Sequence, residues 1–384
     1  MKRTDNTPPS KKNLNIEILK VLSMFMVVVW HFYVHGLKID HTEIQPGSVS
    51  TLNFGISQLI IVICSVCVNL FVLVTGFFLI NKSFKTIRFV RIWFQTVFYS
   101  VTIDLVLYAT NSETNLISNI WTDIMPICNN TYWFVRQYLR LIIIAPIISF
   151  YLLRLTKTIH HLIMIIILVI VLFLTIRNPF CDGRYISGYS ILWFVMLFYT
   201  GGYLHIYGTS NKWTISTKTF CILLFLIWAY TIFVLVYKHL YNSDILHNTT
   251  YEYNTFPYFL SVILFIIIKR SNLNGKRNLN IFYDIAPLTF GVYLIHDNNK
   301  IRTLIWDQIY SWGALYDSLL LTPTAICISC IIFTICISID YLRKELFRVL
   351  RIDILINLFS KFIDSILIKI WNKISGILKI TTNS

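Results

Sequence analysis

Charged residues are scarce. Only 13% of the 384 residues are Asp, Glu, Lys or Arg, against about 25% in soluble domains, while 56% are hydrophobic and 16% aromatic. This composition excludes an ordinary water-soluble domain. Apolar runs recur almost end to end with short polar breaks, which argues for one helical bundle in a membrane. Acidic residues are fewer still, 18 against 33 basic ones. The excess of basic residues does not support nucleic-acid binding, because they are dispersed among short loops and not gathered on one domain. No nucleotide-phosphate loop, dinucleotide fingerprint, internal repeat or low-complexity stretch occurs. A His-Glu-x-x-His motif is also missing. His31 and His35 have the i, i+4 spacing of a zinc pair, but no glutamate follows His31 and no third ligand is evident, so no metal is expected and His35 reads as a loop residue.

What is present is a series of apolar segments. Ten are expected to cross the membrane, at 14–34, 56–80, 89–109, 132–153, 160–176, 189–206, 217–237, 256–268, 285–306 and 319–341. The eighth is short, and the ninth is interrupted by His296-Asp297-Asn298-Asn299-Lys300. Residues 1–13 are polar and no small-residue cleavage site follows the first run, so an uncleaved first span is expected and not a signal peptide. With the amino terminus inside, inner loops collect Lys82, Lys85, Arg88, Arg91, Arg154, Lys157, Lys269 and Arg270, whereas outer loops carry Asp40, Asp123, Asp182 and Glu252. Ten spans with both termini cytoplasmic satisfy this bias. Cys64 with Cys67, and Cys327 with Cys330, fall inside spans, where small apolar pairs are the ordinary reading. Cys128 and Cys181 both fall in outer segments, and whether they pair depends on the redox state of that side.

The tail has a different pattern. Leu355, Leu358, Phe359, Phe362, Ile363, Ile366 and Ile370 recur on one helical face, with Asp353, Asn357, Ser360, Lys361 and Asp364 opposite. Arg348, Arg351, Lys369 and Lys373 add positive charge, so 342–384 reads as a basic amphipathic helix lying on the inner membrane surface. The expected organisation is a cytoplasmic segment 1–13, a membrane domain 14–341 and this tail.

One face of the first span carries ionisable groups. Eleven helical steps return to within about 20° of their start, so Glu17, Lys20 and His31 share a face that runs from one leaflet towards the other. Each such group in hydrocarbon costs on the order of 2.5 kcal/mol or more, so a polar cavity or catalytic centre is expected beside it. In the ninth span Tyr293, His296 and Asp297 form a second polar group; neighbouring helix residues point about 100° apart, which argues against a His296–Asp297 dyad.

Four stretches together resemble the acyltransferase-3 family of integral membrane acyltransferases. Lys20-x10-His31 is similar to the family's Arg-x10-His in the first span, with lysine where arginine is usual. Arg88-x-x-Arg91 matches its Arg-x-x-Arg. Tyr132-Trp133-Phe134-Val135-Arg136 is similar to its tryptophan-led fourth span, and Phe290-Gly291-Val292-Tyr293-Leu294-Ile295-His296 to its FG-YLIH segment. The resemblance covers roughly 14–341. It implies an O-acyltransferase of the bacterial plasma membrane. Such an enzyme moves an acyl group, often acetyl, from cytoplasmic acyl-CoA to a hydroxyl of an envelope glycan or lipid-linked sugar, with no permanently bound cofactor. A transporter or flippase for a glycan or lipid-linked sugar is the alternative, because it too would use a polar cavity.

The chemistry then assigns roles. Arg88, Arg91 and Lys85 would hold the phosphates of coenzyme A, unless they only anchor the inner loop. His31 would act as general base or as an acyl carrier, with Glu17 and Lys20 tuning the polar column. Trp133, Arg136, Tyr293 and His296 would position the acceptor or acyl group, although an aromatic belt and a structural helix break explain the same residues. Acceptor identity, chain length and self-association stay open.

Overall fold

The computed structural model describes residues 13–38, 49–82, 85–110, 116–128, 131–177, 188–208, 256–271, 277–310 and 313–381, with Ile222, Phe225, Ala229 and Leu273 as isolated positions. All regular structure among them is helical. The helices are α1 (Leu14–His31), α2 (Val49–Cys64), α3 (Cys67–Leu79), α4 (Thr86–Ala109), α5 (Leu116–Ile124), α6 (Trp133–Leu152), α7 (Lys157–Arg177), α8 (Ile191–Tyr207), α9 (Phe256–Arg270), α10 (Thr289–His296), α11 (Asn299–Tyr310), α12 (Leu321–Val349) and α13 (Ile352–Thr381). A short helix, Phe282–Ile285, precedes α10. Six helical stretches among the described residues are long and apolar enough to cross a membrane. With the outward apolar faces of α7 and α12, this makes the chain a multi-pass membrane protein. The segment 217–237, expected as the seventh span, lies outside the described residues apart from three isolated positions, as does Cys181.

α1 is the central post, packed against α2, α3, α9, α10 and α12. Asn13 caps it, its side chain accepting from the Asn15 backbone N–H at 3.0 Å. Asn15 in turn donates to the carbonyls of Ile268, Lys269 and Ser271, satisfying the end of α9. At its other end α1 continues into a π-turn, Phe32–Gly36, closed by Leu37 N–H to Phe32 O at 3.0 Å.

α3 and α8 cross at contact distance because both are glycine there. A Cβ at Gly76 would lie 2.1 Å from the Phe198 carbonyl oxygen, and one at Gly201 2.3 Å from that of Leu73. Trp193 pins the crossing through its indole N–H to Asn69 Oδ1 at 3.1 Å.

Two expected spans differ in form. The run 56–80 belongs to a longer stretch with a break between α2 and α3, where Ser65 Oγ donates to the Val62 carbonyl at 2.6 Å and offers the backbone a competing partner. The run 285–306 is not one helix. Asp297 closes α10 through its backbone N–H to Tyr293 O, and Asn298 opens α11 by accepting from Lys300 N–H at 3.0 Å. The bundle therefore contains a broken helix beside the end of α1.

Candidate active site

His31 sits at this junction. It is the last residue of α1 and is 3% exposed. Its Nδ1 lies 3.0 Å from His296 Nε2, and His296 Nδ1 lies 2.6 Å from the Val292 carbonyl. A carbonyl oxygen only accepts, so a neutral His296 carries its proton on Nδ1 and accepts at Nε2. His31 then donates from Nδ1, and its Nε2 keeps the lone pair. That nitrogen is 3.7 Å from Asp297 Oδ1. Arg302 approaches the same carboxylate at 3.5 Å and also donates to Asn299 Oδ1 at 3.1 Å. His296 and Asp297 do not face one another, as helix geometry demands, yet because the helix ends between them they engage the two nitrogens of one imidazole.

His35 is not a loop residue. The π-turn carries it back towards α1, with its ring centroid 4.9 Å from that of His31. His31, His35 and Asp297 offer ligand atoms that all lie within 4.8 Å of one another, so the third partner that the sequence did not reveal is supplied by the broken helix. The guanidinium of Arg302 beside Asp297 opposes a second cation there.

A cavity of about 500 Å³ leads to this centre from the far end of α1. Lys20, Arg88 and Arg91 line one end and His31 and Tyr293 the other, with Phe71, Val74, Phe78 and Phe134 among the apolar walls. By helical rise Lys20 and His31 are about 16 Å apart, so one shaft joins a cationic mouth to the imidazole. Halfway along, Tyr138 and Thr75 form a polar rung at 3.0 Å. Glu17 is buried and holds Lys20 at 3.0 Å. A pair this close to solvent contributes under about 1 kcal/mol, so its effect is to neutralise Glu17 and aim the ammonium.

Arg91 also meets Asp353 of α13 at 3.1 Å, and Trp93 stacks on Phe359 with ring centroids 5.7 Å apart. α13 thus lies against the start of α4, with Leu355, Leu358 and Phe362 turned outward. A family model described as an acyltransferase domain matches residues 13–341. The chain belongs to the acyltransferase 3 family. No curated protein and no solved structure matches it.

In this membrane acyltransferase the shaft gathers Lys20, His31, Arg88, Arg91, Trp133 and Tyr293 from the residues expected to act. His296 stands behind His31, outside the shaft. Lys85 lines a small recess beside Arg88, and Arg136 lines neither. Sequence reasoning did not anticipate Arg302, His35, Tyr138 or the Asp104–Lys300 pair. The signals the sequence offers for them are the i, i+4 spacing of His35 and the place of Lys300 in the polar interruption of the ninth segment.

Two further contacts hold the broken helix. Lys300 Nζ meets Asp104 Oδ1 at 2.9 Å, and Asn298 donates to Tyr132 OH at 2.9 Å while that hydroxyl donates to Leu294 O at 2.7 Å. Asp123 on α5 joins this group: burial first, and then the neighbouring Asp104 carboxylate, push its carboxyl up to about 7, against the pull of Lys300. On the opposite side of α10, a Cβ on Gly291 would stand 2.1 Å from Asp340 Cγ. Asp340 is fully buried and accepts from Tyr99 OH at 2.7 Å and from Arg343 Nε and NH2 at 2.9 and 2.8 Å.

Proposed function

We propose that this acyltransferase moves an acyl group, acetyl in the first instance, from acyl-CoA to a hydroxyl of an envelope glycan or lipid-linked sugar. The observation that carries the reading is the shaft, which connects cationic side chains at one end to an imidazole with an available lone pair at the other. The diphosphate of the donor would rest on Arg88 and Arg91, which offer planar paired donors, with Lys20 and Lys85 adding charge. The pantetheine arm and acyl group would run along the apolar walls.

His31 Nε2 removes the proton of the acceptor hydroxyl as its oxygen attacks the thioester carbonyl. The tetrahedral intermediate then collapses, the C–S bond breaks, and the imidazolium returns the proton to the departing CoA sulfur. Asp297 stabilises the transient imidazolium from 3.7 Å, and His296 keeps the ring in the required tautomer. Tyr293 and Trp133, at the same end of the shaft, position the acyl group and the acceptor, with Arg136 nearby.

The orientation that suits this chemistry has the Lys20 end in the cytoplasm of a bacterial cell, where acyl-CoA is made, and the His31 end towards the outer leaflet. Ten spans and two cytoplasmic termini fit that orientation. α13, with its outward apolar side and with Arg351, Lys361 and Lys369, would lie on the anionic inner leaflet. Mass spectrometry of envelope glycans from a deletion strain tests the reading. Wild type should restore an ester-linked acyl mass that His31→Ala does not, and an unchanged glycan profile on deletion refutes it.

A further inference from the structure

The acyl-CoA donor proposed above carries an adenosine 3′-phosphate beyond its diphosphate, a group that would need a surface beside the shaft's cationic mouth. Arg88 and Leu79 line both the main shaft and the small recess that also holds Lys82 and Lys85. Next along the same end of the bundle is a second cavity, of about 420 Å³, within the roughly 300–1,000 Å³ usual for small-molecule sites. Asn81, His160, His205 and Tyr207 line it, with Leu153 and Leu155. Asn81 Nδ2 and His205 Nε2 are 2.9 Å apart, and the ammonium groups of Lys82 and Lys269 are both close enough to act electrostatically on the His205 ring.

This lining is unlike the shaft. It combines an amide, two imidazoles and a phenol with apolar leucine, and it is flanked by two lysines. A flat heterocycle with exocyclic donors can lie on the Tyr207 ring and bond the amide and imidazole edges, while an attached phosphate meets Lys82. A lipid headgroup would satisfy the lysines but leave the planar ring and the amide without a use.

We infer that the recess formed by Asn81, His160, His205 and Tyr207, with Lys82 at its edge, binds the 3′-phosphoadenosine end of the acyl-CoA donor. The inference rests on the donor reading above. It gives the donor a track along one end of the bundle: nucleotide in the recess, diphosphate at Arg88 and Arg91, and arm in the shaft.

The test is equilibrium binding of CoA, dephospho-CoA and adenosine 3′,5′-bisphosphate to the purified full chain in lipid nanodiscs. Asn81 and Lys82 are exposed, so their alanine variants should keep the fold. Lys82→Ala should weaken CoA about tenfold and dephospho-CoA much less, because a charge-assisted phosphate contact is lost. Asn81→Ala should weaken adenosine 3′,5′-bisphosphate by a similar factor. If both variants bind all three ligands as wild type does while Arg88→Ala loses CoA, the recess assignment is wrong and the donor reading stands. If wild type binds no CoA at all, both fall together.

Discussion

His31 Nδ1 and His296 Nε2 stand 3.0 Å apart, and that contact decides which nitrogen of His31 meets the reactants. The Val292 carbonyl can only accept, so His296 donates to it from Nδ1, accepts from His31 Nδ1 at Nε2, and leaves His31 Nε2 able to accept. His31→Ala should therefore lower acyl transfer by about 10²–10⁴-fold at equal protein level in the membrane. His296→Ala should lower kcat on the order of tenfold with little change in the donor KM, since the ring loses its tautomer and not its ligand. His296→Gln, whose carbonyl still accepts, should recover part of the loss. Steady-state kinetics on the three variants decide this, and a wild-type kcat in His296→Ala excludes the relay.

Arg88→Ala and Arg91→Ala should raise the KM for acyl-CoA and leave the topology intact. Arg91 and Asp353 are both exposed, which keeps their ion pair below about 1 kcal/mol, so Asp353→Ala should change stability little. Reporter fusions at Asp40, at Asp123 and at both termini, read beside donor kinetics, separate a binding defect from an inverted bundle.

Lys20 supplies charge at the mouth of the shaft. Lys20→Arg should retain most activity and Lys20→Met should lose it. Equal loss in both variants, at matched protein level, would instead assign Lys20 a close-fit or proton-transfer role, because guanidinium stays protonated up to a pKa above about 12.

Gly291→Ala should be among the most damaging single-methyl changes in the chain. The added carbon would meet Asp340 Cγ at 2.1 Å, and Asp340 cannot yield without abandoning Arg343 and Tyr99. Breaking a buried pair of this kind costs about 3–5 kcal/mol. Thermal unfolding in detergent should fall sharply for Gly291→Ala and for Asp340→Ala. A melting temperature unchanged in both would mean that α10 is not held by this contact.

Asp123 gives the group around the broken helix a pH dependence. Its carboxyl is raised from 3.8 to about 7, so the folded state holds the proton more tightly than the unfolded chain. The stability this contributes is fully present below about pH 4 and is lost as pH rises through about 7. Melting temperature should fall across that window in wild type, and Asp123→Asn should flatten the fall. A slope that persists unchanged in the variant assigns it to another group.

The helices and the column of charges are legible in the amino-acid order alone. Apolar runs of about twenty residues have few conformations open to them in lipid, and Lys20 and His31 share a face because an eleven-residue step nearly closes three helical turns. The same arithmetic made Arg88 and Arg91 neighbours at one helix start.

What His31 touches is set by packing across the bundle. His296 and Asp297 lie more than 260 residues away in sequence, and their partnership with one imidazole depends on α10 ending between them. That break is set by Asn298, Lys300 and Tyr132, contacts that no periodicity encodes. The spacing of His35 fits a loop as well as a π-turn, and the turn is stabilised by packing against α11. The shaft is likewise a property of the space between α1, α3, α4, α6 and α10. Hydropathy reports how apolar each helix is, but the volume left between helices depends on which side chains interlock, and that is settled only when they pack.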